Sequence, residues 1–393
     1  MCRPQDDSWP VRSTCGHDGC ALLPTADFAY HVNGPWALPK CLKARGLRSG
    51  NPGELALFAA WRLPRGPPSQ RRQVAAKAWV PERRGVIEAC GSGSSSAELG
   101  EKGRLAAFLE AHGVAGWAPP TARSPEQLRH GGALDTEDGD RALWFLKHVR
   151  LERNEGVTVH LGREACLQAW LALPEDERCD YVAQREVPRP LLDEGGRKLT
   201  LRVYVLLLAI APEAAVAGAA RALVRREFVC RAHPEPYDSS DPNPARHVHS
   251  TLGKFNGVDC TLGSEWEPYE RVWPEVCRML AACVGPFLPI LASSEVATTD
   301  ASGTARALAF DILGADVLVD AQFRPWLIEV NQGPQLMPVP GNPVATAARE
   351  AVIDDMLGVV LDPVLASGCL RGPCILGAGW ELLAEWPQSD PSG

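Results

Sequence analysis

The chain has 393 residues, 45% of them apolar, and a formal net charge of −8. At about 100–200 residues per domain this is enough for two or three packed units, and the acidic balance argues against a general nucleic-acid binder, which needs a basic face. Thirteen cysteines, odd in number and without framework spacing, fit a reducing cytosol better than a secreted disulfide scaffold.

Taken in chain order, residues 1–24 read as a loose tail. "MCRPQDDSWP" has no apolar stretch of the signal-peptide kind. "CGHDGC" (15–20), like "CLRGPC" (369–374), lacks the second pair that a metal motif would need nearby. Residues 25–118 form an N-terminal lobe with an amphipathic helix expected at "ELGEKGRLAAFLEAHG" (98–113). Within that lobe 62–84 carries seven Lys/Arg against one Glu, a solvated loop or a patch for a polyanion, and "GSGSSS" (91–96) reads as a flexible loop. A central lobe, 119–190, has strands at "ALWFLKHV" and "DYVAQREV" around the helix "REACLQAWLAL". A C-terminal lobe, 191–365, has strands at "LTLRVYVLLLAI" and "ALVRREFVC" and helices at "EPYERVWPEVCRMLAACVG" and "NPVATAAREAVIDDMLGVVLDP". Residues 366–393 read as a second loop-like tail. No apolar run reaches the ~18 residues of a membrane span, since the longest, beginning at Leu201, is broken by Arg202, Pro212 and Glu213. Mixed helices and a mainly antiparallel sheet predict an α+β fold.

The chemistry gathers in "GADVLVDAQFRPWLIEVNQGPQL". Two strand-like runs, 309–319 and 325–330, flank a polar turn, which is a hairpin pattern. Strict alternation would place Leu327, Glu329 and Asn331 on one face and Trp326, Ile328 and Val330 on the other. Asp316 stands inside the first apolar run, where a lone carboxylate is costly unless paired or bound to a cation. If the hairpin sets Asp316 beside Glu329 and Asn331, three oxygen donors converge, a set that suits Mg2+. Lys147 closes a strand, and a polar loop containing Arg153 runs from it to Gly156. Lys198, Thr200 and Arg202 share a face of the next strand, and Arg231 ends another. Singly each is an exposed charge, but four cationic strand ends beside such a triad fit a nucleotide site.

These segments, with "RKLTLRVYVLL", "WFLKHVRLERNEGV", "YVAQREVPRPLL" and "EFVCRAHPEPY", resemble the ordered motifs of the tubulin–tyrosine ligase-like (TTL) family from about residue 117 to 345. The resemblance implies an ATP-grasp fold and an ATP-dependent carboxylate–amine ligase that joins a free amino acid to a protein through an acyl-phosphate. It implies Asp316, Glu329 and Asn331 as Mg2+ ligands, and Lys147 and Lys198 as phosphate contacts with Arg153 and Gly156 in the covering loop. Arg202 and Arg231, with Lys198, are implied beside the transferred phosphoryl group, and Gln184, Arg185, Glu186 and Val187 around adenine. Tubulin or another protein with an acidic tail is the implied acceptor, in the cytoplasm at the cytoskeleton or in a cilium, with no membrane or nucleic acid involved. The chain departs from the family pattern at His148, Asn154, Thr200 and Ser250, and Lys254 is displaced by one position. Three readings therefore stand: a protein-directed amino-acid ligase, a degenerate nucleotide-binding scaffold, and a polyanion-binding module using 62–84. The nucleotide motifs are common to tyrosine, glutamate and glycine ligases, so they do not name the amino acid.

Overall fold

The run Leu199–Ile210 is almost wholly apolar because, as a strand, it is covered on both faces. In the computed structural model, which describes residues 29–33, 37–49, 56–61, 85–89, 97–130, 141–151, 155–210, 219–247, 260–294, 308–334, 336–367 and 379–387, Leu201, Val203, Val205 and Leu207 enter one core. Tyr204, Leu206 and Leu208 enter the other. The side-chain period of two divides them.

Among the described residues the strands in chain order are β1 Ala29–Asn33, β2 Arg48–Ser49, β3 Ala56–Trp61, β4 Gly85–Ala89, β5 Thr121–Ala122, β6 Leu143–His148, β7 Val157–Leu161, β8 Tyr181–Arg185, β9 Leu199–Ile210, β10 Ala219–Arg225, β11 Val229–Ala232, β12 Cys260–Leu262, β13 Leu308–Val319, β14 Pro325–Gln332 and β15 Trp380–Trp386. Five helices matter below: α1 Ala37–Ala44, α2 Lys102–Ala111, α3 Arg163–Leu171, α4 Tyr269–Val284 and α5 Pro343–Val360. The large sheet is built on the antiparallel pair β9–β13, in register from Leu308 opposite Ile210 to Leu318 opposite Thr200. On its far side β9 is shared by β11 and β10, and β13 hairpins into β14. The N-terminal strands do not make a sheet of their own. β4 pairs in parallel with β13, and β3, β1 and β2 extend the same sheet in parallel.

Helix α4 lays Val272, Val276, Met279, Leu280 and Cys283 on one face of this sheet. Helix α5 lays Val352, Ile353, Met356 and Leu357 on the other. Each buried Leu, Ile or Val contributes about 1.5–3 kcal/mol. The run Tyr269–Ser293 is long and apolar enough to cross a membrane by length and composition, but its apolar stripe is spent on the core. Helix α5 starts where Asn342 accepts a bond from the Ala345 N–H at 2.9 Å, with Pro343 in the first turn.

The second sheet, in the order β5-β8-β6-β7, is antiparallel. Helix α3 covers one face of it with Cys166, Leu167 and Trp170 against Trp144, Leu146 and Ala183. The alternate residues of β6, Phe145 and Lys147, therefore project from the opposite face. The site lies there, where this sheet meets the large one.

Three expectations are corrected. "ALVRREFVC" is two strands, because the chain turns at Arg226–Phe228 between β10 and β11. The expected C-terminal tail carries β15, which pairs antiparallel with β10 and buries Trp380. The predicted helix at 98–113 is interrupted at Glu101, after the short helix Ala97–Gly100 and before α2. The tail 1–24, the basic 62–84, the "GSGSSS" loop and both Cys-x₄-Cys segments lie outside the described residues.

Candidate functional site

Arg202, Asp316 and Glu329 lie in one row across three strands, Arg202 opposite Asp316 and Asp316 opposite Glu329. Asp316 is fully buried. Its Oδ1 accepts from Arg202 Nε at 2.6 Å and from an Arg231 terminal nitrogen at 2.9 Å, while Oδ2 accepts from Arg202 at 2.8 Å. This is the bidentate fork that makes Arg–carboxylate pairs strong. Burial opposes the charge on Arg202, yet Asp316 and Glu329 outweigh it and hold its pKa above the usual value. For Arg231 burial wins, aided by the neighbouring Arg202, and its pKa falls despite Asp316.

The hairpin does bring Asp316, Glu329 and Asn331 together, but not by strict alternation. Asp316 faces Glu329 and Val317 faces Leu327, so Ile328 is an extra residue in a bulge. Leu327 and Val330 both enter the core, and Glu329 and Asn331 project to the other side. The expected sharing of a face by Leu327 and Glu329 is thus overturned. Bulges re-aim side chains in this way. Asn331 Nδ2 lies 3.3 Å from Asp316 Oδ2, 3.2 Å from Glu329 Oε1 and 3.2 Å from the Gly314 carbonyl. As placed, the Asn331 amide nitrogen bonds the two carboxylates; with the amide turned to present its oxygen, the three groups would suit a hard divalent cation that completes its shell with ligand oxygens. Among the described residues no group of three or more His, Cys, Asp or Glu could hold a metal, so an all-protein metal cage is not built here.

Lys147 comes to this row from β6 of the small sheet, and Lys198 lies just before β9 of the large one. Lys147 donates to Gln184 Oε1 at 2.7 Å, and Gln184 donates on to Thr121 at 3.2 Å. Burial lowers the Lys147 pKa to about 8, with Glu329 partly restoring it. Lys198 donates to the His247 carbonyl at 3.2 Å. Its ammonium lies 5.7 Å from the Phe145 ring and 5.1 Å from the Tyr237 ring. Burial takes it down to about 7 against the pull of Glu186. His247 is lowered to about 4 by burial and then by Lys198. Glu186 is raised by burial while its oxygens accept from the Leu143 N–H and the Tyr237 hydroxyl, both at 2.8 Å. Thr200, where the family pattern has Asp, is bonded to His233 at 3.0 Å.

The amides of Arg185 and Glu186 are already used, donating to the carbonyls of Pro120 and Leu143 at 2.9 Å. Gly156 sits at φ +68°, and a Cβ there would lie 2.9 Å from both His148 and Leu151, so the turn after Lys147 needs glycine. Arg153, Asn154, Ser250 and Lys254 lie outside the described residues. A cavity of about 450 Å3 opens between α2, β5, β8 and β14, reaching Lys147, Gln184 and Ile328. Sequence reasoning missed Phe145, Tyr237 and Gly314. Only Gly314 carried a signal, as a glycine inside a strand pattern.

The row of Arg202, Asp316 and Glu329 and the two lysines all fall in the segments 100–257 and 262–367, which match the sequence model of the tubulin-tyrosine ligase family. The chain belongs to the tubulin-tyrosine ligase family. Its α+β, ATP-grasp-like architecture is that family's. Among relatives, it is 24% identical to tubulin glycylase 3B of Drosophila melanogaster over 59% of this chain and 31% of that protein. It is 29% identical to the probable tubulin polyglutamylase TTLL9 of Rattus norvegicus over 40% of this chain and 34% of that protein. It is 25% identical to the tubulin polyglutamylase TTLL11 of Mus musculus over 39% and 23% respectively. The chain thus spans about a third or less of these curated TTL-family relatives.

Proposed function

We propose that this chain is an ATP-dependent ligase that joins a free amino acid to a protein acceptor. The observation that carries the reading is the row Arg202–Asp316–Glu329, centred on the buried Asp316, completed by Asn331 and faced by Lys147 and Lys198. Asp316, Glu329 and Asn331 would hold Mg2+, which supplies charge neutralisation at the phosphates. Lys147 and Lys198, with Arg153 and the Gly156 turn, hold the phosphates. Gln184, Arg185, Glu186 and Val187 border the base. A carboxylate oxygen attacks the γ-phosphorus of ATP and ADP leaves; an amine then attacks the acyl carbon and phosphate leaves. Arg202 and Arg231 stabilise charge on the phosphoryl oxygens, which is positioning and electrostatics rather than covalent catalysis. The relatives named for tubulin support tubulin, or another protein with an acidic tail, as acceptor and the cytoskeleton as the place of action.

Incubation with tubulin, Mg-ATP and each labelled amino acid in turn tests this reading, with incorporation expected for one of them. Glu329→Gln should abolish Mg-dependent incorporation with little loss of stability, because Glu329 is only half-buried. Full activity of that variant would reject the triad.

A second reading, a scaffold that binds nucleotide without transfer, is favoured by one observation. Both oxygens of Asp316 are engaged by arginine, and Lys198 is turned to His247. ATP binding without incorporation into any acceptor would select it.

Lys198 also sets a pH dependence. Its folded pKa, about 7, lies below the ordinary 10.5, so between those values the unfolded chain binds more protons. Stability contributed by this group therefore rises with pH across that window. Nucleotide affinity should move oppositely, weakening as Lys198 and then Lys147, at about 8, lose their protons. Titrations between pH 6 and 9 check both slopes, and an affinity that is flat with pH would remove the lysines from the phosphates.

A further inference from the structure

Strand β6 ends at His148, where its pairing closes on both sides. The His148 N–H donates to the Gly156 carbonyl at 3.0 Å, and the next one, of Val149, donates to the Asp180 carbonyl at 2.8 Å. The chain then turns, and the amides of Arg150 and Leu151 lie beyond the strand. Both donate instead to His148 Nδ1, at 3.1 Å and 3.3 Å. A backbone N–H only donates, so Nδ1 keeps its lone pair and the proton of the neutral ring is on Nε2. The ring meets Tyr181 edge to face, with centroids 5.1 Å apart, and a Cβ at Gly156 would lie 2.9 Å from His148 Cβ. The far end of the turn is tied as well, because Lys102 Nζ donates to the Leu151 carbonyl at 3.1 Å. Lys102 and Lys147 line the same cavity. Burial is the larger cause of the lowered Lys147 pKa, and the nearby Lys102 adds to it.

We propose that His148 is a positioning residue: its Nδ1 sets the turn that follows Lys147, and through that turn the placing of the Lys147 and Lys102 ammonium groups at the cavity. The inference rests on the ligase reading, which puts Lys147 at the phosphates, and adds to it a control by pH. Histidine is the side chain that ordinarily changes charge between about pH 5 and 8. An imidazolium donates from both nitrogens, so proton uptake turns the acceptor of two amides into a third donor. The turn then loses both bonds on the acid side. Lys147 and Lys198 gain charge as pH falls, so an acid-side loss of nucleotide affinity has the opposite sign to theirs. The charged and titratable groups on the elements around the ring are Lys147 on β6, Tyr181 on β8, Asp180 just before it, Lys102 on α2, and Arg150 and Glu155 in the connection to β7. Asn is the conservative replacement. Its Oδ1 is bonded to Cγ in the place of Nδ1, accepts from an amide two residues on, and does not titrate.

The test uses the full chain with Mg2+ and a non-hydrolysable ATP analogue, followed by calorimetry from about pH 5.5 to 8, the range in which histidine ordinarily titrates. Urea denaturation of each variant runs beside it. At the upper end of that range His148→Leu should weaken the analogue by about tenfold, the size expected from two hydrogen bonds of modest net strength, with its urea midpoint close to wild type. His148→Asn should bind there as wild type does. Toward the acid end wild type should weaken relative to His148→Asn. Protonation of the nucleotide is common to both proteins and cancels in that comparison. Equal affinities for wild type, Leu and Asn would overturn the proposal, leaving His148 as an ordinary strand end. A Leu variant that binds more weakly only because it is partly unfolded, with no rescue by Asn, would overturn it too. The same acid-side loss in wild type and His148→Asn would remove His148 from the pH dependence. In each of these cases the wild-type chain still binds the analogue, and this inference alone fails. If wild type binds no analogue at any pH, the ligase reading fails and takes the inference with it.

Discussion

Asp316→Asn should destabilise the protein by about 3–5 kcal/mol, the range for removing one partner of a buried ion pair. The reason is the asymmetry of the pair. Arg202 and Arg231 have side chains 13% and 5% exposed, so neither can turn to water when the carboxylate is lost. Asn preserves the shape and one acceptor oxygen but leaves two guanidinium groups without the carboxylate they are bonded to. The same change removes a proposed metal ligand, so on the ligase reading Mg-dependent turnover should disappear as well. Urea denaturation of wild type, Asp316→Asn and Glu329→Gln separates the two roles. The Glu329 variant should stay within about 1 kcal/mol of wild type, because Glu329 is half-buried and Gln keeps its shape and one acceptor oxygen. Adding Arg231→Met to Asp316→Asn should recover part of the lost stability, since one stranded charge goes with it. Wild-type stability in Asp316→Asn alone would show that the arginine clamp does not hold the sheet.

Gly314→Val should cut turnover by about 100-fold while costing only about 1–3 kcal/mol of stability. Gly314 lies opposite Tyr204 on the central strand pair, two residues before Asp316. A Cβ there would lie 3.0 Å from Pro334 and 3.1 Å and 3.3 Å from Arg202 Cδ and a terminal nitrogen. Arg202 is fastened at its far end to Asp316, so the crowding is transmitted to the ion pair rather than relieved by rotation. Gly314→Ala should lie between wild type and Val in both respects. Steady-state rates on whichever acceptor is labelled, beside denaturation curves, provide the check. Turnover that falls only in proportion to the fraction unfolded would reduce Gly314 to a packing residue.

Local pattern was enough to read much of this protein. The segments at β6, β8, β9, β13 and β14 are legible because strand pattern and turn residues are written in contiguous sequence. The candidate triad was legible for the same reason, since a short hairpin fixes which residues of its two strands can meet. What pattern did not carry is what depends on distant chain. β15 looks like a tail until β10, about 160 residues earlier, provides its partner. The bulge at Ile328 is invisible to alternation, because a one-residue slip alters the register without altering composition. Arg349 reads as a polar interruption of a helix stripe, and only the packing of α5 on β9 brings it to Tyr204.

The sequence by itself therefore determined the family and the α+β class and named the candidate residues proposed for phosphate and a hard cation, because those follow from residue type and near spacing. Tertiary structure alone decided that Asp316 is held by two arginines drawn from β9 and β11, and that Lys198 lies between the Phe145 ring of β6 and the Tyr237 ring of the segment after β11. The physical reason is that charge states and pairings in a buried site are set by whatever else is buried beside them. In this chain those neighbours come from elements far apart in sequence.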